Sequence, residues 1–489
     1  MNPVNSIRHG VTWLFMGSTG GKLLAFGFGI VLARLLAPED FGMLVTIHIF
    51  TGLAGFVSGG GMGQALIRAK EAVKPDYDIV FTLQILIGCL IYSAFFLAAP
   101  WFAQWYETPL YADLLRVSAL SFIFRPFVNL PSSILHRNMR YKAKTAVQIA
   151  TLLISSMVSI IMAYYGYGVW SLIIGGIAGS VVSMILLAPL AGWRPGFSLD
   201  FRRARDLARY GVLVSANDIV VYVRNQAANF ILGRTLGAAP VGLFNKADSL
   251  SRMPHGLITG SVYQVIFRAM AKEQDDLDKS HYLFIRSLCL VSVYVTPFYL
   301  MAHWIADPLI TFLYGAKWAG AAAPLAILAL AGPFLTIANM SGAVLAARNW
   351  LGRELGVQLI LLVLVVIATL AGLPYGLVGV AGALVLVAVY NAVHMYSLAS
   401  RCLGTTWIQL LVALRPAIIL NTVLASVLLL LHHTLPEAVR DNDPGYLAAM
   451  LLGGGLIYAL CFLFLPIAAL ASEQDRWKAR LRHRGSSRP

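Results

Sequence analysis

Residues 32–44 read LARLLAPEDFGML, and residues 232–244 read LGRTLGAAPVGLF. At an offset of 200 they share Leu32/Leu232, Arg34/Arg234, Leu36/Leu236 and Gly42/Gly242 without a gap. The same register over 32–70 adds Gly60/Gly260, Gln64/Gln264, Arg68/Arg268 and Ala69/Ala269, giving eight identities in 39 positions. Cys89/Cys289 and Leu90/Leu290 follow farther along. Apolar sequence matches itself often by chance, so the leucines and glycines carry little weight. The arginines and the glutamine carry more, because they are scarce here and stand at equivalent ends of apolar runs. The chain reads as a duplication.

The duplicated unit is a set of membrane helices. Of 489 residues, 58% are hydrophobic and 12% charged, where a soluble chain carries about a quarter charged residues. Mean hydropathy is +0.74. Runs of about 20 apolar residues, each long enough to cross a bilayer, recur throughout. Fourteen spans are expected: 10–34, 41–66, 78–100, 110–135, 143–166, 168–192, 211–235, 240–267, 282–303, 320–347, 354–374, 376–399, 408–432 and 445–471. The fold class is an all-α polytopic membrane protein. MNPVNSIRHG is weakly basic and leads into a run too long for a signal peptide, so the first span is expected to be retained. Cys89, Cys289, Cys402 and Cys461 form no CxxC or metal-type spacing, so no disulfide framework, metal or cofactor is expected.

Charge fixes the topology. With the N-terminus inside, 27 Lys and Arg residues fall on the cytoplasmic side, four on the other and six within spans, accounting for all 37. This is a strong positive-inside bias. It places both termini in the cytoplasm, requires an even number of spans and explains the net charge of +15 without nucleic acid. Six spans separate equivalent helices, so the halves are parallel repeats; transporters of this build hold substrate between their halves. The expected organisation is an N-lobe over 1–192, a basic cytoplasmic linker over 193–210, a C-lobe over 211–400, two extra spans over 401–471 and a basic tail over 472–489. Within the linker, RRARDLARY can form a short amphipathic helix on an anionic leaflet. The tail RWKARLRHRGSSRP reads as a solvated or lipid-touching end.

The six bases inside spans are Lys22, Arg116, Arg125, Arg224, Lys246 and Arg252. Each would cost roughly 2.5–3.5 kcal/mol if it faced lipid, so most are expected to face protein or water; Arg116, near a span end, can snorkel. Polar stripes accompany them at helical spacing: Asp218, Tyr222, Asn225 and Asn229 beside Arg224; Asn245, Asp248, Arg252 and His255 beside Lys246; Arg125, Asn129, Ser133 and His136. Lys22, Arg125, Arg224, Lys246 and Arg252 are the candidate cationic site, with Asn129, Asn225, Asn229 and His255 as its polar lining. Asp218 and Asp248 are candidates for coupling to a proton or sodium gradient. The plain alternative is pairing, of Asp248 with Arg252 along one helix or of Asp218 with Lys246 across the turn. Six bases against two deep acids leave the interior net positive, which suits an anionic substrate such as a phosphate, pyrophosphate or uronic acid group.

GKLLAFGFGIVLARLLAPEDFG (21–42), GMGQALIR (61–68), PSSILHRNMRYK (131–142) and NDIVVYVRNQAANFILGRTLGAAPVGLFNKADSLSRMP (217–254) resemble the polysaccharide-exporter branch of the multidrug/oligosaccharidyl-lipid/polysaccharide (MOP) transporter superfamily. The likeness is to Wzx-type flippases of the colanic-acid-exporter kind, over roughly residues 10–290. The resemblance implies two six-helix lobes in a V plus two C-terminal helices. It implies flipping of undecaprenyl-diphosphate-linked oligosaccharide to the outer leaflet of the bacterial inner membrane, with a polysaccharide polymerase and glycosyltransferases as partners. The more distantly similar lipid II flippase uses the two extra helices to form a lipid-tail groove. Two other readings stand against this one. A multidrug cation antiporter of the same superfamily would need an acidic, aromatic-lined cavity. A membrane glycosyltransferase or polymerase would need catalytic carboxylates in sizeable outer loops, and the outer acids here are few. The expectation is a transporter and not an enzyme.

Overall fold

A computed structural model describes residues 20–59, 61–68, 73–198, 200–272, 276–440 and 442–485. Arg8, Gly60, Ala69, Lys70, Arg488 and the first part of the 10–34 span lie outside the described residues. Every regular element among the described residues is helical. Chain contacts divide the protein into two compact units, residues 1–245 and 246–489.

In the first unit, α1 (20–35) leads through a two-residue turn into α2 (Pro38–Gly59), followed by α3 (Met62–Arg68), α4 (Lys74–Trp105), α5 (Leu110–Ala119), α6 (Ser121–Arg137), α7 (Tyr141–Tyr164), α8 (Val169–Ala191), α9 (Phe201–Thr235) and α10 (Ala238–Ser251). Asp40 stops the turn by accepting from the Ala37 amide at 2.9 Å. α1 and α9 end alike: the Leu36 and Leu236 amides each bond four residues back, to Leu32 and Leu232, at 2.8 Å. Small and hydroxylic residues let α7 and α8 pack closely, as membrane helix pairs commonly do. Gly179 lies against Ser155, and Thr151 and Ser183 hydroxyls bond at 2.8 Å. An aromatic core ties α2, α4, α5 and α8 together, with Phe102 and Tyr106 4.9 Å apart and Phe50 4.9 Å from Phe102.

In the second unit, α10 gives way to a π-helical turn (His255–Thr259) and then α11 (Gly260–Lys272), α12 (Leu277–Trp304), α13 (Ala306–Tyr314), α14 (Ala322–Ala329), α15 (Gly332–Ala347), α16 (Leu351–Gly372), α17 (Gly376–Leu403), α18 (Trp407–Thr434), α19 (Glu437–Arg440), α20 (Asp443–Ala448), a second π-turn (Ala449–Gly453), α21 (Gly454–Phe464) and α22 (Ala471–Gly485). Its main core joins α11, α12, α15, α17 and α18 around Phe284, Met340 and Tyr396.

Among the described residues, eight helical segments are long and apolar enough to cross a membrane, or nine when α14 and α15, bent by 50°, count as one with the turn before them. One of the eight, Glu354–Leu403, is 50 residues long, about 75 Å at 1.5 Å per residue and far beyond a single crossing. It folds back at Leu373–Tyr375 into the α16–α17 hairpin, where Gly372 and Gly379 touch backbone to backbone. The other four expected spans fall on α1, the α5–α6 pair broken at Leu120, α9 and the α10–π–α11 run.

Two local expectations change. RRARDLARY is no separate linker helix: α9 runs unbroken for 35 residues from Phe201 to Thr235. No proline interrupts it, and Gly211 alone costs only about 1 kcal/mol in a helix interior. The last span ends at Phe464 rather than 471, turns at Ala468–Leu470, and re-enters helix as α22.

Candidate functional site

In the first unit, an apolar helix offers a bare face to two polar side chains. Gly52 and Gly55 stand one turn apart on α2. A Cβ at Gly52 would fall on the Tyr222 hydroxyl, and one at Gly55 on the Arg125 guanidinium. Tyr222 of α9 donates to the His48 carbonyl at 2.6 Å, lies 3.2 Å from that of Ile49, and packs on Phe56 with ring centroids 5.3 Å apart. Arg125 of α6 lies 4.8 Å from the Phe122 ring centroid, a cation–π contact. The two glycines thus draw α6 and α9 onto one stretch of α2 and place a cation and a phenol side by side. Asn129, one turn on from Arg125, accepts through its carbonyl from the Ser133 hydroxyl at 2.9 Å.

The other first-unit candidates follow α1 and α9. Lys22 stands exposed on α1. Arg224 donates to the Asn225 side chain at 3.1 Å. Asn229 is buried and donates to Gln226 at 3.0 Å, while its Oδ1 has no partner among the described residues. Asp218, one turn before Tyr222, is exposed. Arg116 pairs with Asp113 at 3.6 Å and packs over Phe96.

In the second unit, Lys246 lies over two aromatic rings, 5.1 Å from Tyr314 and 5.6 Å from the fully buried Trp318. Arg252 Nε donates to Asp248 Oδ1 at 2.7 Å, so of the two acids Asp248 is the one already engaged. His255 opens the π-turn, and its Nδ1 is buried without a partner among the described residues. The register of the duplication relates the two halves: Gly52 and Gly55 correspond to Arg252 and His255, and Lys22 to Tyr222. Where one half leaves glycines to receive a cation from α6, the other carries its own arginine and histidine.

Sequence reasoning missed a groove of about 730 Å³ in the second unit. One wall comes from α10, the first π-turn and α12, through Met253, Ile258 and Phe298; the other comes from the second π-turn and α21, through Leu451, Tyr458 and Phe462. π-turns widen a helix locally and recur at functional sites; here one lies on each wall. The lining is almost wholly apolar. Trp477 of α22, expected in a solvated or lipid-touching tail, lines the groove as well. The apolar character of the last two spans was the only sequence signal for it. Among the described residues no cluster of His, Cys, Asp or Glu is arranged to hold a metal.

The family model described as "Polysaccharide biosynthesis protein" matches residues 31–323. The chain is 23% identical over 331 residues to the succinoglycan biosynthesis transport protein ExoT of Rhizobium meliloti (strain 1021), covering 68% of this chain and 67% of that one. It is 22% identical over 404 residues to the lipopolysaccharide biosynthesis protein WzxC of Escherichia coli (strain K12), covering 80% and 81%. Among solved structures, the lipid II flippase MurJ in an inward closed conformation aligns with a TM-score of 0.73 at 17% identity, over 91% of this chain and 97% of that one. The chain therefore shares that all-α fold.

Proposed function

From the premise that this chain belongs to the polysaccharide biosynthesis protein family, we propose that it flips a polyprenyl-diphosphate-linked oligosaccharide, an undecaprenyl-linked polysaccharide repeat unit, across the bacterial inner membrane. The observation that carries the reading is the groove, about 730 Å³ with an almost wholly apolar lining, in a chain whose spans also carry Lys22, Arg125, Arg224, Lys246 and Arg252. An apolar chain fits the groove, and a diphosphate fits the cations. Moving a charged head through about 30 Å of hydrocarbon costs tens of kcal/mol when nothing solvates it. A flippase lowers that barrier by keeping the tail in an apolar phase while cations and amides take over from water.

In this reading Lys22, Arg125, Arg224, Lys246 and Arg252 hold the head, with Asn129, Asn225, Asn229 and His255 as polar lining. The lobes 1–192 and 211–400, joined through 193–210, work by alternating access. Residues 401–471 supply one wall of the tail site, both termini lie in the cytoplasm, and Asp218 or Asp248 couples transport to a proton or sodium gradient. A polymerase and glycosyltransferases act before and after it. A multidrug cation antiporter fits less well, because one of the two deep acids is already committed to Arg252. The test replaces Arg125, Arg224 and Arg252 singly with Ala and measures surface polysaccharide at matched protein level. Loss of export is expected; wild-type export in all three overturns the cationic site. Robust ethidium efflux would favour the antiporter.

A further inference from the structure

The face of α2 that carries Gly52 and Gly55 begins one turn earlier, at His48, since residues 48, 52 and 55 stand at i, i+4 and i+7. The His48 carbonyl is where Tyr222 of α9 anchors, at 2.6 Å. The His48 imidazole is exposed. Arg125 of α6 fills the space beside Gly55 and stands within electrostatic reach of that imidazole. Leu53 and Val57, the exposed large apolar residues of α2, lie on the opposite side of the helix. That side suits lipid. The glycine face, with a cation and a phenol against it, suits water and a polar substrate.

The duplication marks the same positions independently. At the offset of 200, His48 corresponds to Asp248, Gly52 to Arg252 and Gly55 to His255. The second half builds its stripe on one helix, and its acid neutralises its arginine: Arg252 Nε donates to Asp248 Oδ1 at 2.7 Å. The first half puts a base where the second has the acid, and takes its guanidinium from α6. Among the described residues Arg125 forms no ion pair, so a proton on His48 adds to a charge that is already there. The surroundings of His48 hold little else that titrates. α9 brings Tyr222, with Asp218 one turn before it, and α10 meets the first turn of α2 through Ala238. α4, α5 and α8 meet α2 through the apolar core around Met43 and Ile47, where Tyr106 and Tyr111 are the titratable groups. Among the described residues Arg125 is the charged group that acts on His48.

We propose that His48 sets the head-group affinity of the first-unit site: protonated, it joins Arg125 in holding the diphosphate of the lipid-linked substrate, and without its proton it leaves Arg125 to hold the head alone. This rests on the flippase reading above. It adds a residue to that reading, and a dependence on pH that Arg125, charged at every working pH, does not supply. Histidine is the side chain that changes charge in the physiological range. Charge-assisted bonds to phosphate oxygens are among the stronger polar contacts, so a second cation beside the first tightens the hold. Binding takes up a proton from water at the imidazole, and release returns it to water. Affinity therefore falls as pH rises.

The test uses the full-length protein in nanodiscs and radiolabelled polyprenyl-diphosphate N-acetylglucosamine, a diphosphate diester that keeps its charge across the range of the titration. Wild-type affinity is expected to fall about tenfold between about pH 6 and about pH 8. His48→Gln is expected to bind at the weak, high-pH level throughout, and His48→Arg at the tight, low-pH level throughout. His255→Gln, at the corresponding position of Gly55, is expected to keep the wild-type profile. A wild-type affinity that does not change with pH, a His48→Gln profile that matches the wild type, or a profile flattened by His255→Gln instead overturns the role of His48. Should one of the two His48 variants fail to fold, the flattened or unflattened profile of the other decides. If the role of His48 fails while the wild type binds the lipid and Arg125→Ala lowers binding and export, the flippase reading stands. No binding of the lipid at any pH, with normal export by Arg125→Ala, Arg224→Ala and Arg252→Ala, removes both.

Discussion

Gly42 lies against the carbonyl oxygen of Ala238, and Gly242 lies against that of Pro38. Each glycine sits one turn into its own helix and touches the first residue of the other's, so α2 and α10 cross at their opening turns through the duplicated position itself. A methyl group on either glycine would overlap a backbone oxygen, which cannot rotate away as a side chain can. Gly42→Ala or Gly242→Ala is therefore expected to destabilise the protein by at least the roughly 1–3 kcal/mol typical of overpacking. The double variant should cost less than the sum, since both force the same crossing apart. Thermal unfolding of detergent-purified protein measures this. Gly27→Ala, where a Cβ would meet nothing within 4 Å, is the control; removing a helix glycine should leave it neutral or slightly more stable. Equal behaviour of all three would refute the crossing.

Tyr222 is expected to act as a latch between α9 and α2. Tyr222→Phe keeps the contact with Phe56 but removes the bond to His48, a loss of about 1 kcal/mol. Gly52→Ala should cost more, because it displaces the whole ring. If the latch matters for transport, both variants lower export per molecule at matched protein level. Unchanged export with lowered stability would leave Tyr222 a packing residue only.

The two acids should respond differently to neutralisation. Asp248 pairs with Arg252 at 2.7 Å, four residues on. Asp248→Asn is expected to weaken stability modestly, and a double-mutant cycle with Arg252→Gln should show coupling. Asp218 is exposed and among the described residues forms no ion pair, so Asp218→Asn should leave stability unchanged. If Asp218 is the coupling group, collapse of the proton or sodium gradient inhibits the wild type but not this variant. Equal inhibition of both would exclude it.

Filling the groove should block transport without harming the fold. Ala459 lines it from α21, and Ala459→Trp introduces a large side chain where no core residue must move. Reduced export with a normal unfolding temperature is the expected result. A smaller effect for Ala459→Val would show that volume, not chemistry, is responsible. Full export by the Trp variant would mean that the groove is not on the substrate's path.

Much of this protein was legible in its composition. Apolar runs of bilayer length, the lysine and arginine bias and the 200-residue register determined an all-α membrane protein with an internal duplication, because hydropathy and charge placement act on each segment independently of its neighbours. The list of interior cations was legible for the same reason: a charge inside an apolar run is visible wherever it points. What each cation touches was not. That Gly52 and Gly55, among 43 glycines, receive Tyr222 and Arg125 depends on residues 70 to 170 positions away. That α9 runs on through its basic turn depends on the absence of any stop signal strong enough to end it. The groove and the docking of α22 arise only when α12, α21 and the C-terminal turn meet, and local periodicity does not record the meeting. Sequence by itself determined which segments enter the bilayer; tertiary structure decided which side chains share one place, because close contact between distant segments is set by packing rather than by the pattern within either.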